Sequence, residues 1–469
     1  MKTIKLLLTA ITILTCIVST QAQIVNIPDA NFKAALVGNG SINTNGDAEI
    51  QTSEAAAYTG GIHVSQLGIT DFTGLEEFIL LDSLDCGHNA VGYYDQDGFW
   101  ILISSPLLNV SVNTALTYLN CSGNALTSLD VSTCTALKAL DCSGNQFLTS
   151  LDVSACTALT YLDCNWNQLI TLDVSGCIAL TYLQCFGNQL SSLNVTDCIA
   201  LNDLNCAYNQ LTSLNVSGCF ALSSLQCYNN QLSSIDVSTI TALYLLDCNN
   251  NELTSLDVSS NLSISYLVCN NNVLTSLDVS NNLAISYLVC NNNQLTSLDV
   301  SNLALSYFEC FSNQLTSLDV SASIGLNYFK CYNNLLISLD VRNGHNNWIP
   351  YYDFNASDNP NLFCIEVDNA AWSNANWYNI DATTSFSENC SGAGISDINE
   401  SNAPMFYPNP TTGTIYLSEQ SNITLSDLSG KLLLEEKNTK QLDLSSLPAG
   451  MYFLRVGENN NQLFKVIKE

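Results

Sequence analysis

The sequence predicts a β-rich solenoid of parallel strands with a short, non-helical convex side. A helical cap at the N-terminus and a small β-sandwich at the C-terminus flank it. Three observations predict this fold. One motif recurs about every 21 residues through the middle of the chain. Each copy alternates apolar and polar residues in two short stretches, which is the pattern of half-buried strands. Both flanks break the period, as the ends of a repeat array must.

Each copy of the motif reads L-x-x-L-x-C-x-x-N-x-L-x-x-L-D-V-S. Successive cysteines are 21 residues apart, except for one step of 22 and one of 20. An earlier copy is centred on Cys86, and an insertion near "GYYDQDGFWILISS" separates it from the next. Because one turn cannot bury its own apolar edge, stacked turns must form one continuous core. The cysteines that align the later copies are Cys121, Cys142, Cys164, Cys185, Cys206, Cys227, Cys248, Cys269, Cys290, Cys310 and Cys331.

This pattern resembles the leucine-rich repeat, in a short bacterial form of 21 residues with cysteine at one leucine position. The resemblance covers Ile62 to about Val341, and we assign the solenoid to residues 61–345. It implies that a column of asparagines is structural, with amides that satisfy backbone groups where each strand ends. That column is Asn124, Asn145, Asn167, Asn188, Asn209, Asn230, Asn251, Asn272, Asn293, Asn313 and Asn334.

The repeat cysteines are predicted to be free, buried thiols that pack as small hydrophobes. The copies nearest to Cys164 lie one strand away with parallel side chains. Their β-carbons would be almost 5 Å apart, beyond the usual ~3.5–4.5 Å of a disulfide. A second column gives way to Ile240, which can replace a packing group but not a metal ligand or a bridge partner. Its members are Cys134, Cys156, Cys177, Cys198 and Cys219.

A column of aspartates precedes the valine of each motif. Carboxylates stacked ~5 Å apart should repel one another. Two interpretations are open: each aspartate accepts hydrogen bonds from a turn, together with the following serine, or the column binds cations. The column is Asp130, Asp152, Asp173, Asp236, Asp257, Asp278, Asp299, Asp319 and Asp340.

The N-terminus reads as a secretory signal. Lys2 and Lys5 precede an apolar run and the small residues "STQA", so a signal peptide over residues 1–22 is predicted. Cys16 raises a lipoprotein alternative, which Thr15 before it does not favour. No later stretch approaches the ~20 apolar residues of a membrane helix.

Residues 23–60 are predicted to form a helical cap with a loop that resembles an EF-hand calcium loop. Asn43, Asn45, Asp47, Glu49 and Glu54 fall at positions 1, 3, 5, 7 and 12 of that loop. An asparagine at position 1 and Ala48 in place of the turn glycine depart from the pattern. A calcium ion here would be structural, and an Asx-rich loop between two capping helices is the alternative.

Residues 346–391 are predicted to cap the other end of the solenoid. Cys364 and Cys390 fall outside the repeat register and are predicted to form a disulfide, since the chain is exported. A linker over residues 392–405 follows.

The last segment, residues 406–469, changes character and holds six of the chain's twelve basic residues. Its short alternating strands suit a β-sandwich. "YPNPTTGTIYL", "LPAGMYFLRV" and "KVIKE" resemble the type A sorting domain of the type IX secretion system of Bacteroidota. The resemblance implies recognition by that secretion machinery, export through the periplasm, and release or attachment at the outer cell surface.

Net charge and missing motifs exclude several function classes. Forty-two acidic against twelve basic residues give a net charge of −30. Such a surface repels nucleic acid and anionic membranes. The three histidines lie outside any catalytic motif, and no paired cysteines suit zinc. We therefore predict a protein that is not an enzyme, with structural Ca²⁺ as its one candidate cofactor.

Aromatic residues recur at outward positions of the predicted strands. On the concave face they would stand ~5 Å apart in a ladder. Such rings, mixed with Asn, Asp and Gln, resemble interface composition, and sugars also stack on them. Alternatively, the tyrosines stabilise the sheet by stacking on one another. The candidate ligand-binding residues are Tyr118, Tyr161, Trp166, Tyr182, Phe186, Tyr208, Tyr228, Tyr266, Tyr287, Tyr307, Phe311, Tyr328 and Tyr332.

Three functions remain open on the sequence alone. The leading hypothesis is a secreted or surface binding protein, adhesin-like, that recognises an extracellular protein or glycan. A structural surface-layer component is the second. The third is a polysaccharide or peptide hydrolase built into Val341 to Ser391 or into the insertion at Gly92, although neither region is long enough to enclose a pocket alone.

Overall fold

The computed structural model describes residues 23–94, 100–390, 406–407, 411–427, 430–456 and 462–468. The predicted signal peptide (1–22) and linker (392–405) lie outside these residues. None of the described helices combines the length and apolar character needed to cross a bilayer.

A parallel sheet of fourteen short strands, which we call the main sheet, runs the length of the solenoid. Equivalent residues of successive repeats pair in register, as Leu162 does with Leu183. The strands are Gly61–His63, Ser83–Asp85, Tyr118–Asn120, Ala139–Asp141, Tyr161–Asp163, Tyr182–Gln184, Asp203–Asn205, Ser224–Gln226, Leu245–Asp247, Tyr266–Val268, Tyr287–Val289, Tyr307–Glu309, Tyr328–Lys330 and Phe354–Asn355.

The opposite side of the solenoid has shorter β structure, as the "LTSLDV" half of the motif predicts. Strands Thr171–Asp173 and Ser192–Asn194 form one pair. A four-stranded parallel sheet joins Ser317–Asp319, Ser338–Asp340, Cys364–Glu366 and Ser385–Ser387. Two 3₁₀ turns, Leu75–Glu77 and Asn346–Trp348, also belong to the solenoid.

The two cysteine columns lie in the core, as predicted. Seventeen cysteines of the described residues are free and buried, and burial raises the pKa of thiols such as Cys156, to about 12. The second cysteine column, from Cys134 to Cys219, also makes polar contacts that the sequence did not reveal. Its thiols approach the valine carbonyl of the preceding turn, with Cys198 Sγ 3.3 Å from the Val174 oxygen. One turn past Ile240, Asn261 Nδ2 donates to the equivalent carbonyl, that of Val237, at 2.9 Å.

The asparagine column forms the structural ladder that the sequence predicts. Asn188 is typical: its Nδ2 donates to the carbonyls of Cys164 and Cys185, each at 3.0 Å. Its Oδ1 accepts from the backbone N–H of Leu169. Each amide therefore ties two turns together at the end of a strand, where backbone groups would otherwise lack partners.

The N-terminal cap consists of the helices Ala30–Val37 and Thr52–Ala57. Asp29 caps the first helix by accepting from Asn31 and Phe32, and its second oxygen accepts from Thr70 in the solenoid. This carboxylate thus fixes the cap to the first turns.

The C-terminal cap continues both sheets and adds the helix Ala370–Asn376. The ring of Trp377 stacks on Phe354 of the last main-sheet strand, with centroids 3.9 Å apart. The predicted disulfide between Cys364 and Cys390 is present. The end of the core is therefore covered by a buried tryptophan and held by a covalent link.

Two further β units lie outside the solenoid sheets. The insertion forms a hairpin of Val91–Tyr94 and Trp100–Ser104. The C-terminal segment forms an antiparallel sheet with its own apolar core. Its strands are Phe406–Tyr407, Thr414–Ser426, Leu432–Asp443, Gly450–Val456 and Gln462–Lys468.

Candidate binding face

Two columns of side chains point away from the core along the main sheet. In a typical strand the central leucine or phenylalanine is buried while the residues on either side are more exposed. We call the residue before the central one the first column and the residue after it the second column. The register pairs Tyr161 with Tyr182 in the first column and Asp163 with Gln184 in the second. This outward face corresponds to the concave face predicted from the sequence.

The tyrosines of the first column form two stacks. The rings of Tyr161 and Tyr182 are nearly parallel, with centroids 4.8 Å apart. A longer stack of four runs from Tyr266 to Tyr328, with successive centroids 5.5, 4.3 and 4.1 Å apart. Ring stacking between neighbouring strands stabilises a sheet. Part of the predicted binding column therefore also supports the fold.

A second set of rings lies just beyond the strand ends, where the sequence predicts it. Its pairs are Trp166 with Phe186 at 5.6 Å, Tyr208 with Tyr228 at 5.3 Å, and Phe311 with Tyr332 at 4.4 Å between centroids. The first two pairs are nearly perpendicular and the third is stacked.

Trp166 and Tyr208 occupy a backbone position that large residues seldom adopt. Both have φ of 51°, whereas most other turns place asparagine or glycine there. The Trp166 ring lies against Gly187, where an added Cβ would come within 2.8 Å of it. Both side chains are more than half exposed, at 57% and 52%. Two large rings are thus held toward solvent at the expense of backbone strain.

The second column is acidic or amidic through its N-terminal half. From the second strand onward it holds Asp85, Asn120, Asp141, Asp163, Gln184, Asn205, Gln226 and Asp247, and then Val268, Val289, Glu309 and Lys330. Burial raises the pKa of Asp163 to about 6, and the charge of Asp141 adds to the shift. Burial likewise raises the pKa of Asp247. Asp163 is therefore charged at neutral pH in surroundings that disfavour the charge.

One cation of the chain shows how this face holds positive charge. Lys330 Nζ lies 4.6 Å from the centroid of the Tyr328 ring. On the neighbouring strand, Glu309 accepts a hydrogen bond of 2.9 Å from the Tyr307 hydroxyl. Burial lowers the pKa of Lys330, but Tyr328 and Glu309 raise it by more, so the net direction is upward. Ring and carboxylate together stabilise the ammonium.

All thirteen predicted residues lie along this face, but they do not form one ladder. Asp203, Ser224 and Leu245 separate the two tyrosine stacks in the first column, and Tyr118 is separated from Tyr161 by Ala139.

Sequence reasoning missed two parts of the face. Tyr244 lies one position before the first column, yet its ring contacts Tyr266 at 5.5 Å between centroids. The acidic second column was also not predicted, although the motif places it two residues after each tyrosine of the first column.

In the predicted calcium loop, the chain's own groups engage the candidate ligands. Glu54 Oε1 accepts from the backbone N–H of Thr44 and Asn45, and these bonds help to lower its pKa against the effect of burial. Glu49 pairs with Lys33 at 2.6 Å. No group of three or more acidic, histidine or cysteine side chains within the described residues is placed to share a metal. Calcium binding by this loop remains a prediction.

The aspartate column on the convex side makes the predicted turns. Asp173 is typical, because its Oδ1 accepts from the backbone N–H and the hydroxyl of Ser175, at 3.0 and 2.7 Å. The bonds from Ser175 lower the pKa of Asp173. This geometry confirms the turn interpretation of the column, and the cation-binding interpretation remains untested.

Comparison with known proteins agrees with this geometry. Residues 405–469 match the secretion system C-terminal sorting domain, and residues 114–155 match two copies of the leucine rich repeats. The chain is therefore a leucine-rich repeat protein with a C-terminal sorting domain of the type IX system. That domain indicates secretion to the outer cell surface or the extracellular space.

Solved structures share the solenoid. The functional domain of InlJ from Listeria monocytogenes, which includes a cysteine ladder, aligns with 96% of this chain and all of its own at 25% identity and a TM-score of 0.56. An internalin, inlF, from the same organism aligns with 68% of this chain and 94% of its own at 20% identity and a TM-score of 0.49. A leucine-rich repeat protein of Leptospira interrogans covers 72% and 97%, at 18% identity and a TM-score of 0.42. No curated protein matches the chain.

Proposed function

We propose that this protein is a secreted or surface-attached binding protein that recognises an extracellular protein or glycan through the outward face of the main sheet. The observation that carries the proposal is the presentation of Trp166 and Tyr208 to solvent at a strained backbone position. Most turns relieve that strain with asparagine or glycine, and the retention of two strained, exposed rings supports a role in binding.

The composition of the face supports binding rather than chemistry. Stacked rings, carboxylates and amides are spread over many turns, as suits a broad contact with a ligand. The regions considered for a hydrolase continue the solenoid as its C-terminal cap or form a short hairpin. We therefore propose no enzymatic activity.

The test is a binding screen of the purified full-length protein on a glycan array and on a panel of extracellular proteins. A triple variant, Tyr266→Ala with Tyr287→Ala and Tyr307→Ala, removes most of the longer stack. A matched control removes three tyrosines outside the strands of the main sheet, Tyr351, Tyr352 and Tyr378, which are 59–67% exposed.

We expect at least one ligand to bind at least tenfold more weakly to the triple variant than to the control. Both variants must show intact β structure by circular dichroism for the comparison to count. Binding that persists unchanged in the triple variant would show that these tyrosines serve only the sheet.

A structural surface-layer role is the second candidate, and one observation favours it. A row of apolar side chains, each 57–63% exposed, runs along the loops on one flank of the solenoid. Its members are Ile178, Ile199, Phe220, Leu262, Leu283 and Ile324. Exposed apolar rows promote lateral association. Concentration-dependent assembly in analytical ultracentrifugation, lost when Ile199 and Phe220 become serine, would favour this candidate.

A further inference from the structure

The first column of the main sheet contains a gap of one ring. Tyr118, Ala139 and Tyr161 are consecutive partners in register, so a methyl group stands where a stacked tyrosine would fit. Since adjacent strands are ~4.8 Å apart, the two tyrosine backbones are roughly 10 Å apart across this gap. We call the space above Ala139, between the two rings, the Ala139 notch.

The spacing of about 10 Å between the two tyrosine backbones is wide enough to admit a planar group between their rings. Contact distances of about 3.5–4 Å on each side require ~7–8 Å between the ring planes, which leaves room for small tilts. A guanidinium is planar and can stack face to face between two rings, whereas an ammonium is a compact point charge that cannot fill the space as a plane.

The charges around the notch require a cation. Asp141 is two residues beyond Ala139 on the same strand, and Asp163 is its partner in register on the next strand. Ser143 and Asn165 donate to the Oδ1 atoms of these two carboxylates, respectively, at 3.0 and 3.1 Å and hold them in place. The ion pairs made by Lys33 and Arg342 lie elsewhere and do not neutralise this face.

The same chemistry occurs within the chain at the other end of the sheet. There, Lys330 supplies the cation over the ring of Tyr328 and beside Glu309. At the notch the rings and carboxylates are present, and Lys138, the exposed residue directly before Ala139, forms no ion pair with Asp141 or Asp163.

We propose that the Ala139 notch binds an arginine side chain of a partner polypeptide, with the guanidinium between Tyr118 and Tyr161 and paired with Asp141 and Asp163. This inference rests on the proposed binding function and names the ligand class for one end of the face.

The probe is a fluorescein-labelled twelve-residue peptide of alternating arginine and serine, measured by fluorescence anisotropy with the full-length protein at low salt. A peptide with citrulline at each arginine position keeps the shape and removes the charge. A lysine peptide keeps the charge and removes the planar group.

Three variants separate the notch from general attraction to an acidic protein. Ala139→Tyr fills the notch without changing charge, and stacking with Tyr118 and Tyr161 should preserve the fold, as it does along the longer stack. Asp141→Asn with Asp163→Asn removes two charges and keeps both acceptors. The control, Asp197→Asn with Glu252→Gln, removes two charges from exposed loop positions outside both columns.

We expect binding of the arginine peptide to weaken at least tenfold in the notch-filled and the Asp141/Asp163 variants, and less than twofold in the control. The citrulline peptide should not bind, and the lysine peptide should bind several-fold more weakly. Unchanged binding to Ala139→Tyr, equal losses in the two double variants, or equal binding of all three peptides would overturn the proposal. Because the screen of the longer stack uses different residues, the binding function can stand even if the notch proposal fails.

Discussion

Replacing Asp163 tests whether the negative charge on the outward face lowers the stability of the fold. Replacing it with asparagine removes the negative charge and preserves an oxygen that can accept from the backbone N–H of Asn165. Burial raises the pKa of Asp163 to about 6 from an ordinary value of 3.8. Folding therefore favours the neutral form, and the charged form opposes folding.

The direction with pH follows from this shift. At about pH 4 the folded carboxyl is neutral and the unfolded one is only partly ionised, so little of the penalty applies. As the pH rises from about 4 to 6, the unfolded chain loses this proton first, and the folded state becomes less favoured. Above about pH 6 the full penalty is present.

A shift of about two units corresponds to at most ~3 kcal/mol. Water reaches this half-buried group and screens its charge, which reduces the expected penalty to about 1 kcal/mol. At pH 7, Asp163→Asn should therefore raise the melting temperature by about 2 °C for a chain of this size. At pH 4 the variant and the native protein should melt together.

The assay is differential scanning calorimetry of the full-length protein and the variant across pH 4 to 8. Asp152→Asn is the matched control, because this exposed aspartate accepts from Ser154 and its pKa is lowered instead. The control should not be stabilised at any pH. An Asp163→Asn variant that is less stable than the native protein at pH 7 would refute the reasoning.

Three further outcomes are expected. Reducing the disulfide, or replacing Cys364 and Cys390 by serine, should destabilise the C-terminal cap by about 3 kcal/mol, since the link closes a 26-residue separation. Urea unfolding followed through tryptophan fluorescence measures this loss of stability. An unchanged unfolding midpoint would show that the cap is stable without the disulfide. Under native conditions an alkylating reagent should leave the repeat thiols unmodified, because burial raises the pKa of thiols such as Cys206 to about 12. Rapid modification of Cys206, detected by mass spectrometry, would contradict the burial of the cysteine column. If the N-terminal loop binds calcium, 1 mM calcium should raise the melting temperature and Glu54→Ala should abolish the rise, whereas no shift in the intact protein would end the calcium hypothesis.

The repeat period allows the solenoid to be predicted from the sequence in detail. Most inward positions are filled by the same residue type in successive turns, so the register of Leu162 on Leu183 follows from alignment alone. Cys364 and Cys390 could be predicted as a pair because they fall outside that register. These features depend on spacing, which a sequence shows directly.

Features that depend on what neighbours do to a side chain could not be read in this way. The thiol of Cys198 reaches the Val174 carbonyl only because the turn places it there. Tyr244 joins the tyrosine stack from an adjacent position, since a long side chain can reach across from outside its column. The strain at Trp166 follows from its positive φ. The sequence shows only that a tryptophan replaces the glycine or asparagine that most other turns have at this position.

Three features that weaken the solenoid occur within a few neighbouring turns. Asp163 keeps a charge where burial disfavours it, Trp166 holds a left-handed backbone that asparagine would relieve, and Ala139 interrupts a stack that a tyrosine would complete. Other turns of this same chain use asparagine or tyrosine at the equivalent positions, so the repeat itself provides the more stable alternatives. Stability therefore does not explain this stretch of the face, whereas the proposed contact with a ligand would account for all three departures together. The turns from Tyr118 to Gly187 are accordingly where recognition is expected to concentrate, and the four-tyrosine stack is where the face contributes most to the fold.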